Sequence, residues 1–298
     1  MGTTPTATYR AGRPAAALRG LVDSYVGYHV VGPPGLHRGL PSRHVTFVVT
    51  FGEPLTVTAP GDGRRLSATA LVGGLHHRPA IITHSGVQHG VQLAVTPAGA
   101  RALFGVPAGE LTDLVVPLDA LLGPMAGELA ERLAAAGGWA ERFAILDRAL
   151  CRLLRDDAEG APEVGHAWRR LLAGTSSVTA LADEVGWSRR HLGERFRREI
   201  GLPPKVAARV LRFEHARGEL LRPGAAPRLA DVAATCGYAD QAHLTREWRE
   251  LAGCTPSAWL AEEAPWLHNS FAPTDPHIGP EGDELPFVQD FEGLVAAG

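Results

Sequence analysis

Two sets of side chains near the end of the chain share one spacing. Arg189, Arg190, Gly193, Glu194 and Arg197 fall at i, i+1, i+4, i+5 and i+8. Gln241, Ala242, Thr245, Arg246 and Arg249 repeat that spacing 52 residues later. On a helix this spacing gathers side chains on one face. Guanidinium groups so gathered bind phosphate and carboxylate oxygens through paired hydrogen bonds. From Arg189 to Arg222 the chain carries ten Lys and Arg against four Glu, a local excess of +6 within a net charge of -3. A local positive field suits a phosphate-contacting surface. A solvated helix face laced with i,i+4 ion pairs has the same composition, so charge alone leaves both readings open.

Nucleophilic and metal chemistry find less support. His29, His37, His44, His76, His77, His84 and His89 lie in the N-terminal half. Adjacent His76 and His77 would point to opposite faces of a strand, so satisfied or surface histidines are expected, without a metal or other cofactor. Cys151, Cys236 and Cys254 make no C-x-x-C, and an odd number fits reduced thiols. None of the three lies in the N-terminal half. No Ser/His/Asp elbow or phosphate-cradling Gly loop is present. The expectation is that the chain is not an enzyme.

The elements that must position the two charged faces follow from periodicity. The chain of 298 residues is long enough for two cores, and 45% apolar with 20% charged residues is a globular composition. It has no apolar run long enough to span a membrane, and Met1–Ala17 lacks the order of a signal peptide, which predicts a cytoplasmic protein. Residues 1–16 are polar and read as flexible. Residues 18–96 alternate short apolar runs with Pro33-Pro34-Gly35, Pro60–Gly63 and Ser85-Gly86, predicting a small β-barrel or sandwich. Pro97–Phe104 predicts a short helix. Phe143, Leu146, Leu150, Leu153 and Leu154 form a helical stripe that either covers the β-domain or pairs with its twin in a second subunit. Asp156–Pro162 is a polar linker, 163–262 is helical in pattern, and a tail over 263–298 follows, with Phe287, Val288 and Phe291 as anchors.

Within 163–262 a pattern occurs twice. Val178, Leu181, Ala182 and Val185 form the buried face of a short helix, Gly186 makes a tight turn, Trp187 plugs the angle and Ser188 caps a second helix packed by Leu192, Phe196 and Ile200. Leu229, Val232 and Ala233, then Gly237, Tyr238, and Leu244, Trp248 and Leu251 repeat it. This is the pattern of a helix-turn-helix, whose second helix lies in the major groove of DNA. Pro203–Leu221 reads as one connecting helix. About 18 residues at ~1.5 Å each give ~27 Å of rod, against ~34 Å between successive major-groove faces.

The tandem arrangement resembles the AraC/XylS family of bacterial transcriptional regulators. The matching residues are Leu181-Ala182, Gly186, Ser188–Leu192, Phe196-Arg197 and Gly201 in the first unit. In the second they are Gly237-Tyr238, His243-Leu244, Trp248-Arg249, Gly253-x-x-Pro256 and Trp259. The resemblance covers about 163–262. It implies a preceding cupin-like β-domain that senses a ligand and mediates dimerisation. It places base-reading positions at Arg190, Gly193 and Glu194, and at Gln241, Ala242, Thr245 and Arg246. Arg suits guanine, Gln adenine, and the Thr245 methyl thymine. Gly193 has no side chain to read with, and Glu194 either accepts from cytosine or restrains Arg190 or Arg198. Arg189, Arg197, Arg209 and Arg249 are expected to contact phosphates.

The expected architecture is therefore α+β. An N-terminal cupin-like β-barrel with helices (18–156) senses an effector and dimerises. An all-α domain (163–262) with two helix-turn-helix units joined by a long helix binds DNA, and the tail follows. The expected partners are a double-stranded DNA operator, RNA polymerase, a small-molecule effector and a second copy of the chain, with no membrane. His76, His84, Phe104 and Trp139 are candidates to line the effector pocket; a filled barrel without ligand is the other reading. The alternative function is a cupin-type metalloenzyme with an accessory helical domain, which stoichiometric metal in the N-terminal half would favour.

Overall fold

A computed structural model describes residues 6–155, 160–175, 177–222 and 227–267, with side chains as far as Glu262. The first half runs β1 (Thr6–Gly12), β2 (Val22–Val31), β3 (Gly35–Gly39), β4 (Val45–Thr50), β5 (Leu55–Thr58), β6 (Arg65–Ala68), β7 (Ala70–Gly73), β8 (Ala80–His84) and β9 (Val87–Val95). Then come α1 (Pro97–Phe104), β10 (Val115–Pro117), α2 (Asp119–Leu122), α3 (Met125–Ala135) and α4 (Trp139–Leu153). The strands make two antiparallel sheets, ordered β1-β2-β9-β4-β7-β10 and β3-β8-β5-β6. The expected barrel is thus an open pair of sheets. Closure would need β10 to continue the large sheet into the small one, and β10 is three residues long and ends on Pro117, which has no N–H to donate.

β4 shows how both faces are covered. Val45, Phe47 and Val49 are buried among residues of the helices, whereas Val48 packs with Val57, Leu71 and Ala80 between the sheets. Residues 6–12, expected to be flexible, form the edge strand β1, paired with β2 from Thr6↔Val31 to Gly12↔Tyr25. Tyr9, buried against Val26 and Val30, is its anchor. The α4 stripe covers the sheet of its own subunit. Phe143 stacks on Tyr25 with centroids 5.8 Å apart, and Leu146 and Leu150 are fully buried. The stripe is therefore not an intersubunit seam. Trp139 lies flat on β2 at Gly27, where any Cβ would overlap the indole.

The second half is helical: α5 (Pro162–Leu172), α6 (Val178–Glu184), α7 (Arg189–Ile200), α8 (Pro204–Leu220), α9 (Leu229–Thr235), α10 (Gln241–Ala252) and α11 (Pro256–Leu267). Helix α11 runs past the expected start of the tail at residue 263; residues 268–298, with Phe287, Val288 and Phe291, lie outside the described residues. The two halves are joined. One cluster of buried apolar side chains runs from Leu18 in the first to Trp259 in the second. A short 3-10 turn at Ala108–Leu111 packs against the end of α7, and Arg101 pairs with Glu199 at 2.5 Å. Arg43 pairs with Glu214 at 3.5 Å and Arg38 with Glu262 at 2.8 Å.

Candidate nucleic-acid interface

Each unit builds its second helix from local signals. Gly186 and Gly237 adopt φ +70° and +75°, the left-handed region that lets the chain turn sharply between helices without strain. Ser188 then caps α7, its hydroxyl accepting from the His191 amide at 3.2 Å. Asp240 caps α10 in the same way, its carboxylate accepting from the His243 amide at 2.6 Å. Both caps satisfy an N–H that the first turn leaves without a helical partner. Trp187 packs edge-on to His191 with centroids 4.5 Å apart, and Tyr238 to His243 at 5.3 Å. The two plugs thus fix the entry angle of both helices alike.

Below the turns the packing is repeated in kind. Leu192, Phe196 and Ile200 of α7 are buried, as are Leu244, Trp248 and Leu251 of α10. Trp168 supports Phe196, with centroids 6.1 Å apart. Trp248 lies between Phe213 at 4.6 Å and Trp259 at 5.4 Å. Burying aromatic rings of this size contributes about 2–3 kcal/mol each and holds the opposite helix faces outward. Helix α8, with 17 residues at about 1.5 Å each, spans roughly 26 Å between the units.

Arg189, Arg190, Glu194 and Arg197 are exposed on α7, and Gln241, Ala242, Arg246 and Arg249 on α10, while Gly193 and Thr245 are half-buried. The structure joins two of them directly. Arg190 Nε donates to Glu194 at 2.9 Å, an i,i+4 pair largely open to water. Such a pair is weak and yields readily to a phosphate or a base. Arg209 is placed otherwise than expected for a phosphate contact. Its guanidinium is turned onto α10, donating to Glu247 at 2.9 Å and also pairing with Glu250. The cause is a carboxylate pair on the neighbouring helix, 38 and 41 residues away in sequence. Arg212 donates to Glu247 at 2.8 Å as well, and stacks over Tyr238 at 4.7 Å. Burial, then Glu247, raises the Tyr238 phenol above its ordinary range, so it stays protonated.

Sequence reasoning missed Glu247, which is almost wholly buried. The available signal was its position, three residues after buried Leu244 and beside Trp248, on the flank of the packed stripe. Cys236 belongs to the same core; burial pushes its thiol up to about 11, which leaves it unreactive.

The four candidates for an effector pocket are not brought together. Phe104 is buried edge-on against Phe47 at 6.2 Å. Trp139 covers the outer face of the large sheet, packed on His89, Phe51 and Phe143. His84 sits on the small sheet beside His37, with centroids 5.6 Å apart, and His76 Nδ1 meets the Arg78 carbonyl at 2.5 Å. They fail as a set because Phe104 and Trp139 pack at separate places on the helix-covered face of the large sheet, His84 lies on the small sheet and His76 in a connecting turn. Among the described residues no group of three or more His, Cys, Asp or Glu is disposed to hold a metal, and no helix is long and apolar enough to cross a membrane.

A family model described as Helix-turn-helix domain matches residues 181–262, the two units and their connecting helix. The chain thus carries an N-terminal antiparallel sheet domain followed by a helical domain of helix-turn-helix type, a construction used to bind DNA. A second model, a domain of unknown function, matches residues 10–117. No curated protein matches the chain. Among solved structures, ToxT from Vibrio cholerae O395 is similar at 8% identity and TM-score 0.48, covering 87% of this chain and 97% of that one. The DNA-binding domain of AdpA, in complex with a target DNA, is similar at 25% identity and TM-score 0.30, covering 33% of this chain and 90% of that one. The AraC-like transcriptional activator CuxR is similar at 14% identity and TM-score 0.29, covering 65% of this chain and 80% of that one.

Proposed function

We propose that this chain is a DNA-binding transcriptional regulator of the AraC/XylS type and that it reads one operator with both units at once. Helix α7 and helix α10 enter successive major-groove faces, held apart by α8. The observation that carries the reading is the repeated construction. Positive-φ glycine, capped N-terminus, aromatic plug and buried stripe recur in both units, and each leaves an arginine-bearing face in water, with the Gln241 amide added on the second. Gln241, Thr245 and Arg246 contact base edges, and Arg189, Arg197 and Arg249 contact phosphates. With Gly193 lacking a side chain and Glu194 able only to accept, the second helix carries most of the base discrimination.

The sheet domain, within about 18–156 and including β1, senses a small molecule and reports to α7 through the Ala108–Leu111 turn. The space between the two sheets is the favoured place for that effector. His37 Nδ1 is buried there with no hydrogen-bond partner, and burial drives the imidazole down to about 4, so it is neutral at pH 7. A buried, unpartnered ring nitrogen favours a ligand that supplies the missing hydrogen bond. The protein works in the cytoplasm as a homodimer and acts with RNA polymerase at its promoters. Dimers on repeated sites gain affinity through effective concentration. Selecting bound fragments of genomic DNA with the purified full chain tests this function: recovery of one shared motif supports it, and recovery of fragments without a common motif refutes it.

A further inference from the structure

We propose that Glu247 is a positioning residue for sequence reading: it fixes the roll of α10 and keeps two arginines of α8 away from the DNA backbone. This rests on the reading of α10 as a base-reading helix. Glu247 lies on that helix between Thr245-Arg246 and Trp248-Arg249, and its side chain is 5% exposed. Arg209 Nε donates to its Oε2 at 2.9 Å, and Arg212 Nε to its Oε1 at 3.1 Å. Arg212 Nη2 lies 2.8 Å from both oxygens. Arg209 also reaches Glu250, one turn from Glu247 at i+3. One carboxylate thus grips two guanidiniums a helical turn apart on α8, beside the Trp248–Phe213 contact.

Two consequences follow from charge and geometry. First, apolar packing of Leu244, Trp248 and Leu251 turns the opposite face of α10 outward but sets its roll only coarsely, because the hydrophobic effect is non-directional. A bidentate carboxylate–guanidinium contact is directional and resists rotation about the helix axis. Rotation would carry Gln241 and Arg246 off their base edges, so the grip sets specificity. Second, Arg209 and Arg212 are still 31% and 29% exposed. Released from Glu247, they are long enough and close enough to the surface to add contacts with phosphate, which raise affinity for every sequence alike. Glu247 therefore separates specific from non-specific binding.

The test uses the full-length protein and a pool of duplexes with a random segment of about three helical turns. The wild-type chain selects its preferred duplex from the pool. Binding to that duplex and to a scrambled one of the same composition is then measured from about 50 to 200 mM salt. In Glu247→Gln the ratio of specific to scrambled affinity is expected to fall at least about tenfold, or ~1.4 kcal/mol. Affinity for scrambled DNA should hold or rise, with the salt slope steeper by up to about 2, one for each arginine released. Glu247→Asp keeps the charge but is too short to bridge both arginines, so it should lose the ratio without steepening the slope. An equal loss on both duplexes with an unchanged slope would mean a merely structural role and overturns the proposal, as does an unchanged ratio in either variant. If Glu247→Gln proves unfolded by circular dichroism, the Asp variant decides alone. If the wild-type chain enriches no duplex, the base-reading assignment of α10 has failed, and the role of Glu247 falls with it.

Discussion

Gly109 is where the sheet domain touches the first reading helix most closely. A Cβ at this position would lie 2.8 Å from the Arg197 carbonyl oxygen and would overlap that of Arg198. Carbon–oxygen contacts of this kind ordinarily stay near ~3.3 Å. Both obstacles are backbone, at the last turn of α7, and cannot swing aside as a flexible side chain would. Gly109→Ala must therefore push the Ala108–Leu111 turn and the end of α7 apart by roughly 1 Å. That loosens the burial of Ala108, Leu111 and Ile200, and strains the Arg101–Glu199 pair. Overpacking of this size costs about 1–3 kcal/mol. Urea denaturation of the full chain measures it as a lower midpoint at an unchanged slope. Gly193→Ala on the same helix is the control. Its Cβ meets nothing within 4 Å, and the substitution replaces a glycine in a helix interior, so it should stabilise by about 0.5–1 kcal/mol. If Gly109→Ala is as stable as wild type, the two halves do not dock through this turn.

The other predictions concern the interface and the sheets. Arg246→Ala should weaken binding to the selected operator by ~1–3 kcal/mol and relax preference at one base pair, read by competition with single-base variants of the duplex; equal loss on all of them contradicts a base contact. Arg197→Ala should lower affinity for every duplex and reduce the salt slope by about 1, and an unchanged slope removes it from the phosphate contacts. Burial lowers the His37 imidazole from 6.5 to about 4. The unfolded chain then binds more protons between those values, so stability is full above pH 6.5 and falls as pH drops toward 4, by up to about 3 kcal/mol. His37→Phe should flatten that fall without abolishing it, because burial lowers His84 and His89 as well; an unaltered pH profile shows that His37 is solvated.

What the sequence made legible was local. The turns at Gly186 and Gly237, the cap at Ser188 and the buried stripes of α7 and α10 each depend on a few neighbouring residues, and all are seen. Spacing showed which faces of α7 and α10 are open to water for the same reason. Non-local facts were hidden. The edge strand β1 has one buried anchor, Tyr9, and draws its order from a ladder with β2 that no local pattern records. The open sheets could not be told from a barrel, because closure depends on which strands end up at the edges. Periodicity showed that the Phe143–Leu154 stripe is covered, but not that Tyr25 and Gly12 lie beneath it. The sequence suggests a phosphate contact for Arg209 because Glu247 and Glu250 reach it only through the packing of α10 on α8. The residues taken as a pocket share no element, and their types alone did not bring them together.

Hydroxyl-radical footprinting of the full chain on its selected duplex tests the central claim most directly. Two units read together through α7 and α10 predict two protected stretches, centred about 10 base pairs apart on one face of the helix, both lost when Arg197 and Arg246 are replaced together. A single protected stretch, unchanged by altering the residues of α7, would contradict simultaneous reading by the two units.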